Sequence, residues 1–469
     1  MTRDQRSNSK YLSILVVFLT GFFCALPASA PAASKVFPRD YTYQAGEADS
    51  KVSSRSVAME QVKRLLLEEI GTYIESHTEV KNFELTKDQI TALTAGIVKL
   101  KILDEKWDGE KYWLRAEIVV DPDDVTKKID ALRRDREKVE ELEDAKKRVE
   151  ELLKENEELR NKASKADQDS RRRYEENVKS LETAEMIREA QVLVNSGNLK
   201  KALEIMNTAV GMEPKNYRVH GMRGFVLNKM GKRVEAISEF TKSIDLNPEA
   251  AVSYFHRGYA YSLIKETAKA IQDYTRCLEL HPKPAMASTA FYNRGLSYTE
   301  QKNWPAAIQD FNEALALNPK YVSAYINRGR CQRSQKNYEL ALEDFNRAVA
   351  LDPKAENAYL QRGNVYLEQK KYDEAIADYS QAISLNPEDK HAYANRGISY
   401  ARLNKFPEAL ADYNKALLLD PDNALTYYNR AYVSNKLGRT GQELADLKKA
   451  ASLGHQGAKN VLKKKGLFP

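Results

Sequence analysis

The chain has 469 residues, 30% of them charged, with a mean hydropathy of −0.62 and a formal net charge of +7. That length exceeds one compact domain and calls for several units or a repeat array. Acids interleave with the basic residues, so the concentrated basic face that nucleic-acid binding needs is missing and no nucleic-acid partner is expected.

Residues 1–32 open with Arg3, Arg6 and Lys10, continue through an apolar run from Leu12 to Leu26, and end in small residues. This order is the signature of a secretory signal peptide. Pro31 disfavours cleavage directly after Ala30, and Ala30-Pro31-Ala32 supplies an alternative just downstream. Cys24 follows Phe22-Phe23 rather than small residues, which argues against a lipid anchor. Export to a bacterial periplasm is expected. The alternative is an uncleaved segment anchored in the inner membrane. Without residues 1–32 the charge balance falls to +5, and only Cys277 and Cys331 remain. Two cysteines make no disulfide framework, and no CxxC spacing suggests zinc.

Residues 36–122 predict a small α+β domain. In "SRSVAMEQVKRLLLEEIGTYIES", Val62, Leu65, Leu66, Ile70, Tyr73 and Ile74 fall on one helical face. "LTKDQITALTAG" predicts a short helix capped by Thr86. "GIVKLKILDEKWDGEKYWLRAEIVVDP" reads as a β-hairpin that turns at Asp108-Gly109, with Tyr112, Leu114, Ala116, Ile118 and Val120 alternating after the turn. The stretch "DEKWDGEKYWLRAEI" resembles the N-terminal domains of bacterial exported flagellar-assembly and lipoprotein families. Asp104, Glu105 and Asp108 sit around the turn with no His, Ser or Cys nearby, so they predict solvated carboxylates rather than acid–base catalysis.

Residues 123–182 predict a helical stalk and linker. Val125, Ile129, Leu132, Val139, Leu142, Ala145, Val149, Leu152, Leu159 and Ala163 recur mainly at spacings of 3 and 4, with Asn156 at a core-type position. This predicts a coiled coil that can pair two chains as a homodimer through residues 123–165 with Asn156 fixing the register, the alternative being a single solvated helix that acts as a spacer.

From residue 183 the chain repeats itself. Ala190, Gly224, Gly258, Gly295, Gly329, Gly363, Gly397 and Ala431 are 34 residues apart, except for a step of 37 between Gly258 and Gly295. Placing each at repeat position 8 gives units 183–216, 217–250, 251–284, 288–321, 322–355, 356–389, 390–423 and 424–457. Position 20 is alanine in seven units, from Ala202 to Ala409, and position 24 is aromatic in six, from Phe240 to Tyr413. Position 27 stays small, from Ala209 through Cys277 to Ala450, and position 32 is proline in seven units, from Pro214 to Pro421. Small residues let two helices approach, the aromatic fills the space between them, and proline ends the second helix. Such a hairpin cannot bury its own face, so its neighbours must stack. The last unit departs with Glu443, Leu447 and His455, and residues 458–469 predict the end of a capping helix.

This unit resembles the tetratricopeptide repeat, over residues 183–457. The resemblance implies a mainly α chain in which a right-handed α-solenoid of eight helix-turn-helix repeats follows the α+β domain and the coiled-coil helix. In that family the concave wall comes from first-helix positions 2, 5, 9, 12 and 13. Carried over, the resemblance places protein binding on Phe225, Phe255, Tyr259, Tyr292, Ile326, Arg330, Arg333, Asn364, His391, Arg402, Tyr428 and Tyr432. Aromatic and arginine side chains are the usual anchors of an interface. The carboxylate clamp of some members finds its nearest match in Asn364 and Asn395. Leu360, Leu425 and Asn429 stand where it needs cations, so no clamp is expected.

Phase-locked charges suggest structural pairs: Arg257 with Asp273, Arg294 with Asp310, Arg328 with Asp344, Arg362 with Asp378, and Arg396 with Asp412. Each is expected to bridge the two helices of its own unit, setting geometry more than stability. The three extra residues near "LHPKPAMAST" are expected to change the angle between the third and fourth units, and Cys277 is expected in the core. No nucleophile–base constellation, metal spacing or cofactor motif is present, so the expected function is a non-enzymatic scaffold for a protein or peptide. The alternative is a self-assembling envelope component in which the solenoid is a spacer.

Overall fold

The computed structural model describes residues 34–46, 49–77, 94–95, 97–98, 100–133, 136–163 and 168–467. The leader, and most of the short helix expected to begin at Thr86, lie outside the described residues.

The head begins with β1 (Lys35–Gln44), α1 (Lys51–His77), β2 (Lys101–Trp107) and β3 (Lys111–Val120), whose strands form an antiparallel sheet in the order β1-β3-β2. The hairpin turns as the sequence predicts. Asp108 Oδ1 accepts the backbone N–H of Glu110 at 2.9 Å and of Lys111 at 2.6 Å, and Gly109 takes a φ of 102° that L side chains resist. All five alternating residues of β3 are buried, and they meet Val62, Leu66, Ile70 and Ile74 of α1. β1 has no counterpart in the sequence reading. It lies at the sheet's edge, where Pro38 costs no interior ladder bond.

The stalk expected over residues 123–182 belongs instead to the head. After α2 (Pro122–Arg133), α3 (Arg136–Ala163) and α4 (Gln168–Asn195) form an antiparallel hairpin. Val125, Ile129, Leu142, Val149 and Leu152 join Leu181 of α4 in the same core as α1 and β3. Asn156 is buried and donates from Nδ2 to Asn177 Oδ1 at 3.3 Å within the same chain. These five members of the stripe are thus covered inside one molecule, by α1, β3 and α4. The expected boundary at residue 182 also falls within a continuous helix, since α4 runs on to supply the first helix of the first unit.

A buried ionic cluster joins α1 to α4. Arg188 bonds Glu60 and Glu185, Lys63 bonds Glu185, and Ser56 donates to Glu182 at 2.5 Å. Burial pushes the Glu60 carboxyl up to about 7. Burial would raise Glu185 too, but Arg188 and Lys63 outweigh it and hold that carboxyl below the usual range.

α5 (Leu199–Met212) completes the first unit. Seven hairpins follow: α6/α7 (Tyr217–Lys229, Arg233–Leu246), α8/α9 (Ala251–Leu263, Thr267–Glu279), α10/α11 (Pro284–Glu300, Trp304–Leu317), α12/α13 (Val322–Ser334, Tyr338–Leu351), α14/α15 (Glu356–Glu368, Tyr372–Leu385), α16/α17 (Lys390–Arg402, Phe406–Leu419) and α18/α19 (Ala424–Lys436, Thr440–Ser452). Each packs on the next, as a solenoid requires. The three extra residues fall at the N-terminus of α10, which has 17 residues where the first helices on either side of it have 13. That end meets α3, and Lys283 Nζ lies 2.6 Å from Asp144 Oδ1.

The packing rule at position 8 is exact to the atom. A Cβ added to Gly363 would lie 2.8 Å from Tyr379 Cε1, and one added to Gly329 equally close to Phe345. Where position 8 is alanine, at Ala190 and Ala431, position 24 is Met206 or Leu447 rather than a ring. Position 15 always takes the left-handed region: Gly197, Gly231 and Gly438 do so freely, and Lys265, Lys302, Lys336, Lys370 and Asn404 do so with φ of 58–65°. At the C-terminus, α20 (Gln456–Lys464) buries Ala458 and Leu462 against Leu447, Ala450 and Ala451. The departures of the last unit serve this cap. His455 accepts the Ala458 N–H at 3.1 Å, and Glu443 binds Lys465 Nζ at 2.8 Å.

Candidate functional site

The recurring arginines are structural and reach further than the sequence suggests. Arg257, Arg294, Arg328, Arg362 and Arg396 each donate two bonds, of 2.5–2.9 Å, to Asp273, Asp310, Asp344, Asp378 and Asp412, and Arg430 does the same to Asp446. Each then spends a third donor on position 25 of the preceding unit: Thr241, Thr275, Asn312, Asn346, Ser380 and Asn414, at 2.6–3.0 Å. One guanidinium therefore ties together three helices in two units. Each also lies 5.4–5.7 Å from a ring centre at position 4, from Tyr254 to Tyr427. Burial lifts the Asp273, Asp310 and Asp344 carboxyls above their ordinary value against the pull of their arginines. In the second unit Glu239 takes the aspartate's place. Burial would raise it, but hydrogen bonds from Arg223, His220 and Lys242 outweigh that and hold it at about 2.

First helices of successive units contact one another as well as their own partners, so they line the inner side of the array. Of the expected wall residues, Tyr259 and Tyr432 are exposed by 40% and 52%, and Arg330, His391 and Arg402 are exposed too. Phe255 and Ile326 are corrected to the core, since both are buried between the helices of their own units and their neighbours. Phe225, Tyr292, Arg333, Asn364 and Tyr428 are half-buried and engaged. Phe225 packs 5.1 Å from the His256 ring centre, Tyr292 packs 4.6 Å from Tyr321, and Tyr428 stacks on His455 at 4.3 Å. Arg333 donates to Gln361 at 2.9 Å, and Asn364 Oδ1 accepts from Tyr379 at 2.8 Å and from Asn395 at 2.9 Å.

The sequence reading weighed position 6 only at Asn395 and Asn429, for the carboxylate clamp. That position holds Asn293, Asn327, Gln361, Asn395 and Asn429 in consecutive units, each directly before an arginine already counted. The signal was the dipeptide itself, of which only the arginine was used. These carboxamides stand beside Arg330, Arg333 and Asn364. Asn327 donates to the Tyr292 hydroxyl at 3.1 Å, and Arg330 donates to Asn327 at 3.0 Å. Free valences of planar donor–acceptor groups among exposed tyrosines suit an extended polypeptide.

The sequence profile of the tetratricopeptide repeat family matches residues 251–284, 292–356, 356–389, 391–423 and 412–445. These units are tetratricopeptide repeats. No curated protein sequence matches the chain. Solved tetratricopeptide structures do. YrrB, described as a protein with an unusual peptide-binding site, is 28% identical with a TM-score of 0.35, over 40% of this chain and 95% of its own. A tetratricopeptide repeat protein from Parabacteroides merdae is 25% identical with a TM-score of 0.42, over 54% of this chain and 98% of its own. MamA is 24% identical with a TM-score of 0.34, over 38% and 95%. A tetratricopeptide array is a protein-interaction scaffold. No described helix is long and apolar enough to cross a membrane.

Proposed function

We propose that the protein is an exported scaffold, without chemistry of its own, that holds a protein or extended peptide on the first-helix wall of its tetratricopeptide array. One observation carries this reading. The recurring arginines of the first helices are committed to aspartates of their own units, and the wall between them leaves Tyr259, Tyr432, Leu425 and Arg402 exposed on a fixed frame. A wall fixed before the ligand arrives loses little ordering entropy on binding. The basic and apolar order of residues 1–32 supports export to the periplasm. The alternative reading, assembly through residues 123–165, is weakened because Val125, Ile129, Leu142, Val149 and Leu152 lie in the head core.

The test is proximity labelling from a C-terminal tag in intact cells, comparing wild type with Tyr259→Ala/Tyr432→Ala. Both tyrosines are exposed, so the fold is expected to survive. Loss of a discrete set of exported neighbours in the double variant supports the wall. An unchanged set refutes it.

A further inference from the structure

The head carries a feature remote from the solenoid wall. Where the end of β1 meets α1 and α3, an open cleft of about 440 Å³ is lined by Tyr41, Tyr43, Gln61, Asn156, Glu157 and Arg160 among the described residues. That volume lies within the range of about 300–1,000 Å³ that small-molecule sites occupy.

Part of the lining is fixed. Arg160 Nη1 donates to the Tyr43 hydroxyl at 2.9 Å with its guanidinium 5.5 Å from that ring's centre, Tyr43 donates to Asp49 at 3.1 Å, and Asn156 donates to Asn177 at 3.3 Å. Asp49 is itself held by the Gly46 N–H at 2.6 Å and by the Tyr174 hydroxyl. The rest of the lining is uncommitted. Among the described residues, the Tyr41 hydroxyl, the Gln61 amide and the Glu157 carboxylate form no hydrogen bond or ion pair. Glu157 and Arg160 stand one helical turn apart and both line the cleft, yet they do not pair with each other.

The chemistry of this lining is selective. One guanidinium and one carboxylate leave it without net charge, so its field favours neither anions nor cations. Amide, guanidinium and carboxylate groups each present two polar atoms side by side, which suits adjacent hydroxyls. Tyrosine rings offer apolar faces with a polar edge, which suits the C–H face of a sugar ring. We propose that this cleft binds a neutral saccharide of one or two rings. Nothing in the proposal depends on the solenoid wall.

The experiment is saturation-transfer difference NMR on the full-length chain, with maltose and N,N′-diacetylchitobiose as probes. Transfer to at least one disaccharide is expected. Gln61→Leu keeps the volume and breaks no protein hydrogen bond, so the thermal midpoint should hold while affinity falls by about tenfold or more. Absence of transfer to both sugars overturns the proposal, and so does transfer that Gln61→Leu leaves intact. Transfer to glycylglycine with none to the sugars also overturns it, by showing that Glu157 and Arg160 select a zwitterion.

Discussion

At the scale of single residues, the solenoid is governed by a size exchange between positions 8 and 24. Glycine stands wherever the facing residue is aromatic, and alanine stands where it is Met206 or Leu447. Gly363→Ala would place a methyl 2.8 Å from Tyr379. Overpacking costs about 1–3 kcal/mol, while alanine's helix propensity returns about 1 kcal/mol. The expected net loss is about 1 kcal/mol by denaturant titration. Adding Tyr379→Leu copies the last unit, and in that background the alanine should cost nothing. A double-mutant cycle with no coupling would sink the exchange rule. Arg328 makes the second residue-scale case. Arg328→Lys keeps the charge but loses the fork that holds Asp344 and the donor on Asn312. It should destabilise the chain by about 2 kcal/mol, more than an exposed pair could. A loss under half of that would mean that the bridge between units contributes little.

At the scale of elements, the junction of α1 and α4 should respond to pH. The folded carboxyl of Glu60 titrates near 7, against about 4.3 for an ordinary glutamate. Between those values the folded state binds the extra proton, so stability is greatest below the window and falls as pH rises through it. The protection factors of amides in α1 and α4, with the intrinsic base-catalysed exchange divided out at each pH, should therefore be higher at about pH 5 than at about pH 8, and Glu60→Gln should remove most of the difference. Lower protection factors at the lower pH would overturn this sign. Little of the junction was legible in advance, because Glu60, Lys63, Glu185 and Arg188 sit in two ordinary charged helices more than a hundred residues apart. The hairpin was legible because Asp108-Gly109 and the alternation after it are local signals. β1 was not, because Pro38 and Arg39 interrupt its pattern and its partner strand lies some eighty residues away. The wall was half legible. Position 9 faces outward at Tyr259 and Tyr432, but position 5 turns into the core at Phe255 and Ile326, and periodicity alone does not separate two positions one turn apart.

At the scale of the whole molecule, burial of Val125, Ile129, Leu142, Val149 and Leu152 was readable from the apolar stripe, but not what buries them. A heptad pattern specifies a partner face and is silent on whether that face is in the same chain. Deleting residues 123–165 would strip Leu142, Val149 and Leu152 from the head core. The expected result is rapid proteolysis of residues 34–122 while the array beyond residue 217 stays protected, with no change in oligomeric state by analytical ultracentrifugation. A halving of mass with an intact head would restore the intermolecular coiled coil.

The contact between Asp144 and Lys283 has a mechanical meaning. From the head, α4 leads into the first four units of an arc, and α3 returns as a chord that touches the arc again at the start of α10. A chord resists both opening and closing of the arc it spans, whereas the units beyond it are held only by their successive neighbours. The fourth unit is therefore the point at which the array touches the head a second time. The pitch of the array is set over the first half, and bending is left to the units after α10, where Arg330, Arg402 and Tyr432 are displayed.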